Sequence, residues 1–494
     1  MSAIAGINAR DQWDAVRAAL SRVSYRGDST EAVIAHNGAT VGEIHNNGVK
    51  MWLGRSGGCR AVCAGAVYNW QTLAPDALDV DAAIEALYAR FGPRFVGALD
   101  GAFALAVVGQ GGLFVARDTL GISPLYYGES EGCFCFASEA KALLALAKDV
   151  REFPPGHHFR PSEGFVPYAT LPTTQSVEAD PVESASELRR RLAAAVAKCV
   201  HISADIGCWL SGGLDSSTVA GLARLQVPNL NTFAVGTDDG PDLEHARLAA
   251  KHIGSRHHEL RVAAGDLLRV LPEVVYHLES FDALLVRSSV TNYLLARMAS
   301  EHVKTVLSGE GADELFAGYD YLAELGPNDL PAELRRITGS LHNTALQRVD
   351  RCSAAHGLVA HVPYLDSAVV NLAFSLPAQL KLHRNSGTTA KWILRKAAEP
   401  LLPSAILRRP KAKFWQGAGV SDLIERAVEQ RIGDDEFEAE RVLPDGSMLA
   451  SKEELHYYRL FRDHFGQIED CGFVGRTPVH CSAMLSGSFD GRPA

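Results

Sequence analysis

IGCWLSGGLDSSTVAGLARL, residues 206–225, decides how the chain is read. Its first four residues are apolar or small and read as a buried strand, and from Ser217 the apolar spacing is helical. Between them lies Ser211-Gly212-Gly213-Leu214-Asp215-Ser216-Ser217. Glycines at a strand-to-helix turn let the backbone approach a ligand closely, and the free N–H groups of the helix N-terminus favour an anion. Ser211, Ser216 and Ser217 add hydroxyl donors, and Asp215 can hold a magnesium ion against phosphates. The loop is not of the Walker type, because G-x-x-x-x-G-K-[ST] is absent.

Outward from this loop, NTFAVGT (231–237) reads as a strand, ARLAAKHIG (246–254) as a helix and HHELRV (257–262) as a third strand. That alternation implies a parallel, doubly wound sheet. ELRRRLAAAVAKCV (187–200) precedes it as an amphipathic helix, and beyond Leu267 the pattern is mostly helical to about Phe465. The N-terminal part differs. Short β-like runs such as AFALAVV (102–108), LFVARD (113–118) and CFCFAS (133–138) imply packed sheets with a few flanking helices. The Pro-, Ser- and Thr-rich stretch that follows reads as a linker. The expected organisation is therefore a domain over 1–160, a linker over 161–180 and a second domain over 181–494, which suits a chain of 494 residues.

Composition narrows the class. A formal charge of −10 argues against nucleic acid as a main partner but leaves room for a small anionic ligand. No run approaches the roughly 20 apolar residues of a membrane span, and the start, MSAIAGINARDQW, lacks the pattern of a signal peptide. Nine scattered cysteines fit thiols in a reducing, cytoplasmic setting.

A second Gly-rich acidic turn follows an apolar strand in TVLSGEGADELFAGYDYL (305–322). Gly309 and Gly311 permit close approach to a nucleotide, Asp313 is placed to share a metal with Asp215, and Glu310 is a carboxylate able to take a proton from an attacking amine. The pair SGGLDSS and SGEGADE resembles the asparagine synthetase B family, whose relatives include β-lactam synthetase. YHLESFD (276–282), VPYLD (362–366), KWILRKA (391–397) and RRPKAKF (408–414) fit as well. So do FVGALDGAFALAV (95–107), RDTLGISPLYYG (117–128), ASEAKALL (137–144) and EFPPG (152–156).

The resemblance implies an α/β fold in two parts. An N-terminal α/β/β/α sandwich of the N-terminal-nucleophile hydrolase type joins a C-terminal ATP-pyrophosphatase α/β domain whose last part is mostly helical. It also implies Mg2+ and ATP. Ser211, Gly212, Gly213, Asp215, Ser216, Ser217 and Gly309 would hold the nucleotide, and Asp215 and Asp313 the magnesium. Glu310 would assist attack by ammonia, and Lys411 would stabilise charge on the reacting centre. Lys391 and Arg395 are further phosphate candidates. A homodimer is expected by analogy.

The departures are specific. Glutamine-dependent members carry a cysteine where this chain has Ser2. Their Asn-Gly-Glu-Ile-Tyr-Asn segment is here Ala64-Gly65-Ala66-Val67-Tyr68-Asn69, without the side-chain oxyanion donor, a loss typically costing about 10²–10³ in rate. HRGPD has become Tyr25-Arg26-Gly27-Asp28-Ser29, and the Arg-Leu-Ser-Ile segment is missing. A dead glutaminase is expected, with nitrogen from ammonia or from an amine on the substrate. Glu310, which replaces the Tyr of the β-lactam synthetases, favours ammonia. Around the acid, Arg287 is kept, whereas Leu284, Leu285, Val359 and His361 stand where the family has hydroxyl or charged groups. The expected reaction is AMP-forming amidation of a side-chain carboxylate, aspartate to asparagine first. The alternative is a β-lactam-type or other specialised amide synthetase acting on an aspartate-like carboxylate.

Overall fold

The computed structural model describes residues 2–27, 32–45, 58–173, 179–203, 205–237, 240–384, 388–410 and 421–476. The N-terminal part stacks two antiparallel sheets. The first has the order β2 (Ala32–His36), β3 (Ala39–His45), β1 (Ser2–Ile7), β8 (Cys133–Ala137), β7 (Tyr126–Ser130), β9 (Lys148–Glu152). The second runs β11 (Gly164–Pro167), β10 (His157–Arg160), β6 (Gly112–Arg117), β5 (Gly101–Gly109), β4 (Arg60–Val67).

Period-two alternation sorts their side chains. Ile4 and Val41 meet Val62, Ala104, Ala106 and Val115 between the sheets. On the outer faces, Ala3 and Ile7 pack under helix α1 (Trp13–Ser21), and Leu105 and Val107 under α2 (Val80–Phe91). The layers are thus α/β/β/α, as the resemblance implies. One expectation is corrected: β11 lies inside the 161–180 stretch read as a linker. It pairs with β10 from His157↔Pro167 to Arg160↔Gly164, so the sandwich continues to Pro167. The pairing uses backbone groups, to which a Gly- and Pro-bounded sequence gives little clue.

The second part centres on a parallel sheet in the order β14 (Arg256–Arg261), β13 (Asn231–Gly236), β12 (Ile206–Trp209), β15 (Thr305–Leu307), β16 (Val359–His361). Helix α3 (Pro181–His201) leads into it, α4 (Leu214–Arg224) follows β12 and α5 (Pro241–Ile253) follows β13. β12 is buried at every residue, which is why it reads as an unbroken apolar run. Helices α6 (Ala283–Ser300), α7 (Ala345–Ala354), α8 (Trp392–Ala398) and α9 (Lys452–Phe465) complete the core. Among the described residues no helix is long and apolar enough to cross a membrane, and eight cysteines are unpaired.

A buried ionic cluster ties the two parts together. Arg26 pairs with Glu139 of its own domain and with Asp350 on α7. Arg351 pairs with Glu279 at 3.1 Å, and the backbone N–H groups of Ala140 and Lys141 donate to the same Glu279. Burial alone would raise the Glu139 carboxyl. Arg26, Arg351 and Lys141 outweigh it and hold that carboxyl well below its usual range.

Candidate active site

Strand order reverses direction of travel at β12: the chain moves outward to β13 and β14, then returns to β15 on the other side. Ligands of open α/β sheets bind at such a point, outside the carboxyl ends of the strands. Both Gly-rich turns lie there. Gly212 has φ +70°, and a Cβ on it would sit 2.3 Å from the His245 backbone carbon. A Cβ on Gly309 would sit 2.8 Å from Ser216 N, so Gly309 lets the two turns touch while Gly212 lets the first pack against α5. Within the first loop, Ser216 Oγ accepts from Ser211 N at 3.2 Å and lies 3.1 Å from Ser211 Oγ. Ser217 Oγ is buried with no partner. The structure therefore brings Ser211, Gly212, Gly213, Asp215, Ser216, Ser217 and Gly309 together as expected from their order.

Lys391 enters from the far side. Its backbone is left-handed (φ +54°), and its Nζ lies 2.6 Å from both Asp215 and Asp313. Gly318 makes room: a Cβ there would meet Lys391 Cε at 2.2 Å. Two carboxylates held around one ammonium are a site built for positive charge. The second oxygen of Asp215 is buried without a hydrogen-bond partner. The donor set fits Mg2+, which takes few protein carboxylates and fills its shell with phosphate oxygens and water.

Glu310 pairs with Arg348 on α7, and both face the cavity bounded by the two loops. The neighbourhood of Glu310 also contains Glu314, pushed up to about 7 by burial and by Asp313, and hydrogen-bonded by Tyr319. Arg409 donates to the Ser211 carbonyl at 3.0 Å and pairs with Asp242 at the start of α5, which fastens Arg409 to the first Gly-rich loop. Lys411 itself lies outside the described residues.

The acid-side candidates do not gather here. Arg287 pairs with Glu453 of α9 and, at 3.3 Å, with Glu425. Its charge is satisfied away from the cavity. Leu285 is core, Leu284 half-buried, and Val359 sits in β16. His361 faces a different cavity, between the two parts of the chain, where the Tyr68 hydroxyl lies 3.2 Å from its Nδ1. Burial pushes the His361 imidazole down to about 4. None of these five lines the cavity bounded by the two loops among the described residues. Instead Arg348, Asn292 and Leu295 do. Sequence reasoning missed them because helical apolar spacing marks a buried face without saying which polar residue on it points at a ligand. For Arg348 the charged run Arg348-Val-Asp-Arg351 was the available signal.

In the N-terminal part Ser2 Oγ accepts from the Gly65 N–H at 2.9 Å. Ala64 supplies a methyl where a second donor would be needed. The described pieces thus hold a hydroxyl against one backbone N–H, with no side-chain amide from that segment.

Comparison with known sequences follows the same division. The family described as asparagine synthase matches residues 187–336 and 325–472, and that described as a glutamine amidotransferase domain matches 1–155. Asparagine synthetase B [glutamine-hydrolyzing] of Escherichia coli K12 is 32% identical over 94% of this chain and 89% of its own length. Asparagine synthetase [glutamine-hydrolyzing] 3 of Arabidopsis thaliana is 34% identical over 82% of this chain and 74% of its own. Among solved structures, glutamine phosphoribosylpyrophosphate amidotransferase from B. subtilis covers 47% of this chain and 65% of that chain at 15% identity, with a TM-score of 0.31.

Proposed function

The chain belongs to the asparagine synthase family, and within that family of ATP-dependent, C–N bond-forming ligases we propose that it amidates a side-chain carboxylate with free ammonia, aspartate being the first candidate. The observation that carries the reading is the convergence of SGGLDSS, Asp313, Lys391 and the Arg348–Glu310 pair on one cavity at the topological switch point.

The two loops bind the nucleotide, and Lys391 lends positive charge to the phosphates from the same wall. Asp215 and Asp313 would hold Mg2+, which supplies further charge neutralisation when bound. The substrate carboxylate oxygen attacks the α-phosphorus, the bond to the β-phosphate oxygen breaks, and pyrophosphate leaves. Ammonia then adds to the acyl carbon, the C–O bond to AMP breaks, and the surplus proton passes to Glu310. Arg348 orients Glu310 for that role. A dry cavity matters throughout, since water would hydrolyse the acyl-adenylate.

The dependence on free ammonia is supported by the Ser2 and Ala64 replacements, which leave the amidotransferase-like part without its usual nucleophile and one oxyanion donor. A second reading, a carboxylate other than aspartate, is favoured by one observation: Arg287 is occupied by Glu453. That acid includes those able to cyclise.

Mass spectrometry of products from Mg-ATP and aspartate, with ammonium or glutamine as nitrogen source, decides among these. Asparagine and AMP with ammonium alone is the expected result. Equal yield from glutamine would show a working Ser2 amidase, and no asparagine from either source would move the search to other carboxylates. Glu310→Gln should lower amide formation far more than adenylation, read as ATP–pyrophosphate exchange. Equal loss of both would remove Glu310 from the role of base.

A further inference from the structure

Helix α6 buries an unusual number of polar side chains, and all but one are accounted for. Ser288 and Ser289 both donate to the Leu285 carbonyl, and Thr291 donates to Ser288. The exception is Asn292. It is 5% exposed, it lines the nucleotide cavity, and its Nδ2 has no hydrogen-bond partner. A buried amide donor left unsatisfied is costly, and in a native protein such a group calls for a partner. In the lining of the same cavity the indole Nε1 of Trp209, 7% exposed, is likewise without a partner.

Helix register locates Asn292 relative to the chemistry. Cys352 Sγ on α7 donates to the Ser289 carbonyl at 3.4 Å. One turn further along both segments, the His356 and Tyr293 rings are 4.4 Å apart. The two segments therefore run parallel, and Arg348, one turn before Cys352, is level with the α6 turn near Leu285. Asn292 lies seven residues beyond that level, roughly 10 Å along the helix. The Arg348–Glu310 pair and Asn292 thus line one cavity at levels about 10 Å apart along α6. The same cavity has an apolar wall that includes Trp209, Phe233, Val235 and Leu295.

We propose that Asn292 reads the nucleotide base, making it a specificity-determining residue for adenine. The inference rests on the reading of this cavity as an ATP site. An amide presents a donor and an acceptor side by side, which matches the amino group and adjacent ring nitrogen of adenine. The corresponding edge of guanine offers two acceptors. The apolar wall takes the base faces, and Trp209 supplies a second donor toward a ring nitrogen.

The test is equilibrium binding, by calorimetry, of Mg-ATP, Mg-GTP and inorganic triphosphate to the full chain carrying Asn292→Leu or Asn292→Asp. Leu keeps the branching and removes both polar atoms; Asp keeps the shape and removes the donor. Both variants are expected to bind ATP about tenfold more weakly, the worth of one bidentate base contact. Their preference for ATP over GTP should shrink accordingly, with triphosphate affinity within about twofold of the parent. ATP affinity and ATP:GTP preference unchanged in both variants would overturn the inference. So would a raised KM for the acid with unaltered ATP binding, which would place Asn292 against the acid. Equal loss of triphosphate and ATP in both variants would also overturn it, by showing a general structural role. Failure of the parent protein to bind Mg-ATP at all would instead count against the functional reading beneath it.

Discussion

Lys391 shows how much one residue's surroundings decide. Its ammonium touches both Asp215 and Asp313, so the two carboxylates that would hold a metal are neutralised by the protein's own cation. Removing one partner from such a buried group leaves uncompensated charge, at a cost of about 3 kcal/mol. Lys391→Met is therefore expected to lower the thermal midpoint of the ligand-free protein. Added Mg2+ should restore more of that loss in the variant than it adds to the parent, because the ion takes the vacated charge position. Thermal scans with and without Mg2+ check this; an identical Mg2+ response in both proteins would mean the carboxylates do not act as one site. In sequence Lys391 was one of several basic residues near a helix, and only Gly318 and the left-handed backbone show why it reaches this point.

Elements act through the turns that join them. The β12–α4 turn depends on Gly212, whose positive φ and close neighbour His245 exclude any side chain. Gly212→Ala should cost at least about 2 kcal/mol from the strained backbone alone, and should weaken Mg-ATP binding by displacing the loop from α5. Urea unfolding measures the first and calorimetry the second. The β12–loop–α4 unit was fully legible in sequence, because a buried strand, a Gly-rich turn and a resumed helical period are local signals. Strand β11 was not. Its stability comes from pairing with β10, and a four-residue edge strand with Gly and Pro at its ends looks like a linker until its partner is known. Helix α7 was read only as one more helix. Packing makes it the element that presents Arg348 to Glu310 on one side and Asp350 and Arg351 to the N-terminal part on the other.

Taken as one body, the chain binds its N-terminal part to the rest through shared packing and buried charge. The main core runs without interruption from Ala3 and Ile7 to Leu188 and Leu295, and the Arg26–Glu139–Asp350–Arg351 cluster crosses the same boundary. Arg26→Met is expected to destabilise the whole chain by about 3 kcal/mol, with a single unfolding transition in urea. Two separate transitions would show that the parts are not coupled. Acid should also loosen this interface. His361, held at about 4 by burial against an ordinary 6.5, is neutral when folded, while the unfolded chain takes up a proton below 6.5. Its stabilising contribution is thus full above 6.5 and is lost as pH falls toward 4. Glu139, and Glu152 held at about 2, add to the loss from 4.5 downward. Glu314 works in the other direction, its contribution fading as pH rises from 4.5 through about 7. The His361→Gln variant isolates the histidine: between pH 6.5 and 5 it should lose about 2 kcal/mol less stability than the parent in urea titrations.

What the sequence determined by itself was everything carried by short spacing: the strand–turn–helix of the phosphate loop, the acidic second turn, the sheet-rich first part and the family. Those signals are local, since φ freedom, helix caps and apolar period act within a few residues. The tertiary structure alone decided which side chains share a cavity. It withdrew Arg287 into a pair with Glu453, turned His361 toward Tyr68, and put Arg348 and Asn292 at the site instead. Each of those outcomes depends on contacts between residues far apart in the chain, where the burial of charge and the pairing of polar groups are settled by packing rather than by sequence neighbours.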